Sequence, residues 1–99
     1  MEIARDACPI KRAGILDELL ADGSLVLYDA ARREVITLNP LAAYVWECCT
    51  GARDVRAIIA EACDLFPDAS RIEADVLAFL DDLRRADLIT LPTPEHANR

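Results

Sequence analysis

Between Val35 and Trp46 the chain reads Val-Ile-Thr-Leu-Asn-Pro-Leu-Ala-Ala-Tyr-Val-Trp, and one hydrophobic period gives way to another within two residues. Val35, Ile36, Thr37 and Leu38 form a β-branched, apolar run suited to a pleated surface. Asn39 offers a side-chain oxygen to the free N–H groups of a helix start. Pro40 suits the first helical position, which needs no N–H and already has a helical φ. Leu41, Tyr44, Val45 and Cys48 follow at i, i+3, i+4 and i+7, so one stripe of the helix is expected to face inward with Trp46 on its flank. A strand joined so tightly to a helix must share its core, and the flanking segments have to build that core.

Upstream, residues 1–12 lack a clear period and carry Pro9, which predicts an extended or frayed N-terminal arm. Ala13 to Leu20 suits either a helix or a strand by composition; Gly14 and the turn after Leu20 favour the strand. Asp22-Gly23 supplies the positive φ of a tight hairpin, leading to a second strand over Leu25–Tyr28. After the turn Asp29–Arg32 comes the third, Arg33–Leu38. Downstream, Gly51 ends the first helix and Asp54 caps a second, whose inward positions are Val55, Ile58, Ile59, Ala62, Leu65 and Phe66. Ser70 and Glu73 form a capping-box pattern at the start of a third helix, from about Arg71 to Ala86. Ile72, Val76, Phe79, Leu80 and Leu83 share one arc of it, bordered on the Phe79 side by Asp75, Asp82 and Ala86. Leu88 to Leu91 is read as a short extra strand, and residues 92–99 as a flexible tail. The expected fold is therefore one α+β domain over residues 13–91, winged helix-turn-helix-like, with a three-stranded antiparallel sheet followed by three helices.

Size and charge narrow the function. Ninety-nine residues build one core but leave little for a deep cleft as well. The formal charge of −7 opposes a phosphate backbone, so nucleic acid is not an expected partner. No apolar run approaches membrane-spanning length and the N-terminus shows no hydrophobic leader, which predicts a cytoplasmic protein. Cys8, Cys48, Cys49 and Cys63 lack metal-ligand spacing and the single histidine, His96, lies in the tail, so reduced thiols and no metal are expected, with Cys48 and Cys63 as small core residues. No phosphate loop, nucleophile elbow or cysteine–histidine pairing is present, and the adjacent carboxylates Asp17-Glu18 and Asp81-Asp82 diverge rather than converge. The chain reads as a binding module, not an enzyme, with no cofactor.

Taken together, Leu25-Val26-Leu27-Tyr28-Asp29, Val35-Ile36-Thr37-Leu38-Asn39-Pro40, Val45-Trp46-Glu47, Gly51, Asp54-Val55-Arg56-Ala57-Ile58, Glu73 to Leu80 and Leu88-Ile89 resemble the PqqD-like proteins. These are the peptide-binding partners of pyrroloquinoline quinone biosynthesis and belong to the wider class of RiPP recognition elements. The resemblance covers about Leu25 to Leu91, and its sharpest part is Leu-Asn-Pro with Trp six residues after the proline. One departure stands at Ala86-Asp87, where such domains commonly carry a glycine. The resemblance implies binding of the leader segment of a ribosomally made precursor peptide, added as a β-strand to the sheet edge, and its delivery to a modifying enzyme of radical-SAM or leader-peptidase type. It implies Arg33, Glu34, Val35, Ile36 and Thr37 as the receiving strand, and Asp75, Ala78, Phe79 and Asp82 as a helical wall. Two other readings share the pattern: a winged-helix DNA-binding or regulatory protein, opposed by the acidic third helix, and a structural subunit of an enzyme complex. Apolar edge strands also permit a homodimer.

Overall fold

The computed structural model describes residues 3–93. The elements run β1 (Ile10–Lys11), β2 (Ile15–Leu19), β3 (Leu25–Asp29), β4 (Glu34–Leu38), α1 (Pro40–Glu47), α2 (Val55–Leu65), α3 (Ile72–Arg85) and β5 (Ile89–Thr90). β2, β3 and β4 form an antiparallel sheet in sequence order, followed by the three helices, which makes the fold α+β. The tail expected over 92–99 lies outside the described residues except for Pro92 and Thr93.

Local chemistry sets most of the boundaries. Gly23, at φ +92, turns the chain from β2 into β3, and the Ser24 N–H donates to Asp22 Oδ1 at 2.9 Å. Asn39 accepts from the Ala42 N–H at 2.9 Å and starts α1, while Asp54 accepts from the Ala57 N–H at 2.9 Å and starts α2. The Ser70–Glu73 capping box does not form. Arg71 is the residue before the helix, no side chain caps it, and Glu73 instead accepts from Arg5 Nη2 at 2.6 Å. A longer-range ion pair has taken the carboxylate the box required.

The core lies between the sheet and the helices. Leu25 and Leu27 of β3 face Val45 and Trp46 of α1, Val55 and Ile58 of α2, and Val76 and Leu80 of α3 in one buried cluster. Trp46 is 1% exposed, so it is a core residue and not the flank of a stripe. The reason is that α1 packs against α2, α3 and β4 at once and is buried on more than one side. Its Nε1–H donates to Asp17 Oδ2 on β2 at 2.9 Å, so the buried indole keeps a polar partner. Cys49 joins Cys48 in the core, whereas Cys63, expected inside, is exposed.

The N-terminal arm is extended but held. Ile3, Ala7 and Pro9 are buried, and β1 pairs with β5 in a second, two-stranded sheet. Arg5 and Ala7 carbonyls accept from the Arg56 and Val55 N–H groups at 3.0 and 2.9 Å, satisfying two free donors at the start of α2 that Asp54 does not reach. Arg12 then reaches the buried Asp29 at the end of β3, with Nη2 2.5 Å from Oδ2. An uncompensated carboxylate there would be costly, so this pair locks the arm to the sheet.

Candidate functional site

A three-stranded sheet has two edges, and their surroundings differ. β2 is exposed along most of its length, and α1 reaches it through the bond from Trp46 to Asp17. Among the described residues β4 pairs with β3 only, through Leu25↔Leu38, Val26↔Thr37, Leu27↔Ile36, Tyr28↔Val35 and Asp29↔Glu34, and none of them forms a strand on its far edge. Alongside it runs α3. The space between them is a groove of about 240 Å³.

Strand alternation builds one wall of this groove. Ile36 and Leu38 point toward the helices, one half-buried and one buried, and Thr37 and Asn39 complete the strand side. Phe79, Asp82 and Leu83 of α3, with Ala86 just past its end, form the other wall, and Ala42 of α1 and Leu88 complete the lining. The floor is apolar. Asp82 is exposed at the rim and makes no side-chain pairing among the described residues, leaving a carboxylate available to a guest.

Four of the nine residues assigned from sequence meet here: Ile36, Thr37, Phe79 and Asp82. Val35 lies on the same strand with its side chain on the opposite face, 64% exposed. Glu34 begins the strand and Arg33 precedes it, in the turn from β3, at φ +55. Asp75 and Ala78 are on α3 toward its N-terminus, off the groove itself; Asp75 shares a helical stripe with Asp82, two turns away. Sequence reasoning did not assign Leu38, Asn39, Ala42, Leu83 or Leu88 to the site, and it placed Ala86 on the border of the third helix without naming it a binding residue. A usable signal was there: Ala42 on α1 and Ala86 at the end of α3 are small residues, and small side chains leave room where leucines would fill it.

Other features offer no comparable geometry. A larger and more open depression of about 700 Å³ lies at the α2–α3 connection, around Phe66, Pro67 and Ser70, with no strand edge beside it. Between α1 and α2, Tyr44 Oη donates to Glu61 Oε1 at 2.5 Å and Arg53 pairs with the same carboxylate, an arrangement that joins the two helices. Burial, followed by its bond with Cys48, raises the Tyr44 hydroxyl above its ordinary pKa. Burial pushes the Cys49 thiol up to about 12, with the neighbouring Cys48 adding to the shift, so it stays protonated and unreactive at neutral pH.

Comparison with known proteins places these features in context. The family model described as coenzyme PQQ synthesis protein D (PqqD) matches residues 24–89. Two relatives, from Klebsiella pneumoniae and from its strain 342, both called PqqA binding protein, are 35% identical over 78 residues, spanning 79% of this chain and 82% of theirs. Among solved structures, TbiB1 in complex with the TbiA(beta) leader peptide matches with a TM-score of 0.68 and 17% identity, covering 81% of this chain and 93% of that one. At that identity the match is a likeness of fold.

Proposed function

The chain belongs to the PqqD family, and on that premise we propose that it is a non-catalytic recognition module for the leader segment of a ribosomally made precursor peptide. The relatives' name states that they bind PqqA, and the structural neighbour was solved with a leader peptide. The observation that carries the reading is the unpaired β4 edge beside an apolar groove. An extended peptide added there satisfies backbone donors and acceptors along the edge, and alternate side chains enter the groove.

Arg33 to Thr37 then form the receiving strand, with Asp75, Ala78, Phe79 and Asp82 as the wall. Asp75 and Asp82 are seven residues apart on a helix, roughly 10 Å. Side chains on one face of an extended guest recur at every second residue, about 7 or 13 Å apart at two or four residues, so long basic side chains at either spacing reach both carboxylates. Each exposed pair contributes about 0.5 kcal/mol, leaving most of the affinity to backbone pairing and the apolar anchor. The loaded module presents the leader to a modifying enzyme of radical-SAM or leader-peptidase type. Among the described residues no helix is long and apolar enough to cross a membrane, and the proposed place of action is the cytoplasm.

The test is titration with PqqA, the peptide that the relatives' name gives as their partner. Ala86→Trp fills the groove from a half-buried position at the end of α3 and is expected to weaken binding by roughly tenfold or more, while Asp82→Lys weakens it about threefold. Unchanged affinity for Ala86→Trp at an unchanged thermal midpoint would place the peptide elsewhere.

A further inference from the structure

Just past the end of α3, three successive carbonyls are taken by two arginines from outside the helix. Ala86 O accepts from Arg32 Nη1 at 3.1 Å, Asp87 O from the Arg12 Nε–H, and Leu88 O from the Arg12 backbone N–H at 2.8 Å. Arg32 Nη2 also lies 2.7 Å from Asp87 Oδ2. Both arginines are tied in turn to one carboxylate of the sheet, that of Asp29 at the end of β3. Its Oδ2 is 2.5 Å from Arg12 Nη2, and its Oδ1 accepts from the Arg32 N–H at 3.4 Å.

These bonds stand where the groove takes its width. Ala86 and Leu88 line it on the helical side, while Asp29 pairs in register with Glu34, the first residue of β4, on the strand side. Apolar contacts across the floor are non-directional, whereas hydrogen bonds constrain both length and angle. Arg12 supplies three of them from the N-terminal arm, and the donors of its planar guanidinium keep a fixed relation to one another. Arg12 itself does not line the groove.

We propose that Arg12 is a positioning residue of the peptide site: it holds the end of α3 at the distance from β4 that an added strand requires. The inference rests on the reading of the β4 edge as that site. A guest side chain in the groove meets Leu83 and Ala86 on one side and Ile36 on the other. A gap of about 0.5–1 Å on either side forfeits a quarter to a half of each dispersion contact there, so a small displacement of the helix end costs affinity. If Arg12 served only to neutralise the buried Asp29, any cation in its place would do, and affinity would follow stability.

Titration with PqqA beside thermal unfolding separates these roles. Arg12→Lys keeps a positive charge near Asp29 but loses the planar fork; it is expected to weaken PqqA binding roughly fivefold, with the thermal midpoint within about 3 °C of the native chain. Arg12→Met combined with Asp29→Asn removes both charges, leaves no unpaired buried ion, and is expected to weaken binding at least as much. Arg5→Ala, which frees Glu73 at the opposite end of α3, is expected to leave the affinity unchanged. Unchanged affinity in both Arg12 variants, a loss that only follows the midpoint, or an equal loss in Arg5→Ala would overturn the proposal. Amide exchange on the native chain reports the edge separately: PqqA that binds without slowing any amide within residues 34–38 would overturn the β4 reading, and this inference with it.

Discussion

Asp87 occupies a left-handed backbone position, φ +62, directly after α3. The Leu88 N–H donates to the Leu83 carbonyl and the Asp87 N–H to the Arg84 carbonyl, both at 2.9 Å, the paired bonds of a helix end that usually has glycine in this place. Aspartate is tolerated because Arg32 holds it: Nη2 lies 2.7 Å from Asp87 Oδ2, and Nη1 donates to the Ala86 carbonyl at 3.1 Å. Asp87→Gly relieves the backbone but loses the ion pair, and the two effects nearly cancel, within about 0.5 kcal/mol. Asp87→Val adds a β-branched side chain at positive φ and also loses the pair; it should cost about 2 kcal/mol. Urea denaturation of the two variants checks the difference, and an equal loss for both would remove backbone strain from the explanation. The sequence showed the departure from glycine at this point, but not its compensation, because Arg32 lies 55 residues away.

At the scale of elements, short-range chemistry was legible and long-range competition was not. Asn39-Pro40 and Asp54 announced two helix starts because a cap depends on neighbours within three residues. Ser70 and Glu73 followed the same rule and failed, since Arg5, 68 residues away, holds Glu73. Trp46 was misplaced for a related reason: a helical stripe describes burial against one surface, and α1 has several. The junction of α1 and α2 yields a pH dependence. The hydrogen bond from Tyr44, helped by Arg53, holds the Glu61 carboxyl below its ordinary 4.5. A carboxylate depressed in the folded state adds stability above 4.5 that is lost as pH falls through the lower folded value. Acidification should therefore lower the thermal midpoint of the native chain more steeply than that of Glu61→Gln. Parallel midpoint curves for the two proteins would show that this group is not linked to folding.

Across the whole molecule, the three sheet strands and three helices follow from periodicity and turn residues, whereas the second sheet and the fixed N-terminal arm do not. β1 and β5 are each two residues long, too short to show alternation, and their pairing joins opposite ends of the chain. The candidate site was half legible for the same reason. A strand edge can be inferred from sequence, but a groove depends on the separation of two packed elements, here set by Ala42, Ala86 and the position of Leu88. Among the described residues, the assembled domain offers a guest one free edge beside the groove, at β4, and a second, at β2, that the groove does not reach.

Amide hydrogen exchange with and without the leader peptide tests that distinction most directly. Strand addition at β4 predicts slowed exchange at alternate amides within residues 34–38, where the edge donors become bonded, with no change along residues 15–19. Protection confined to residues 15–19, or absent from residues 34–38 at saturating peptide, would contradict it.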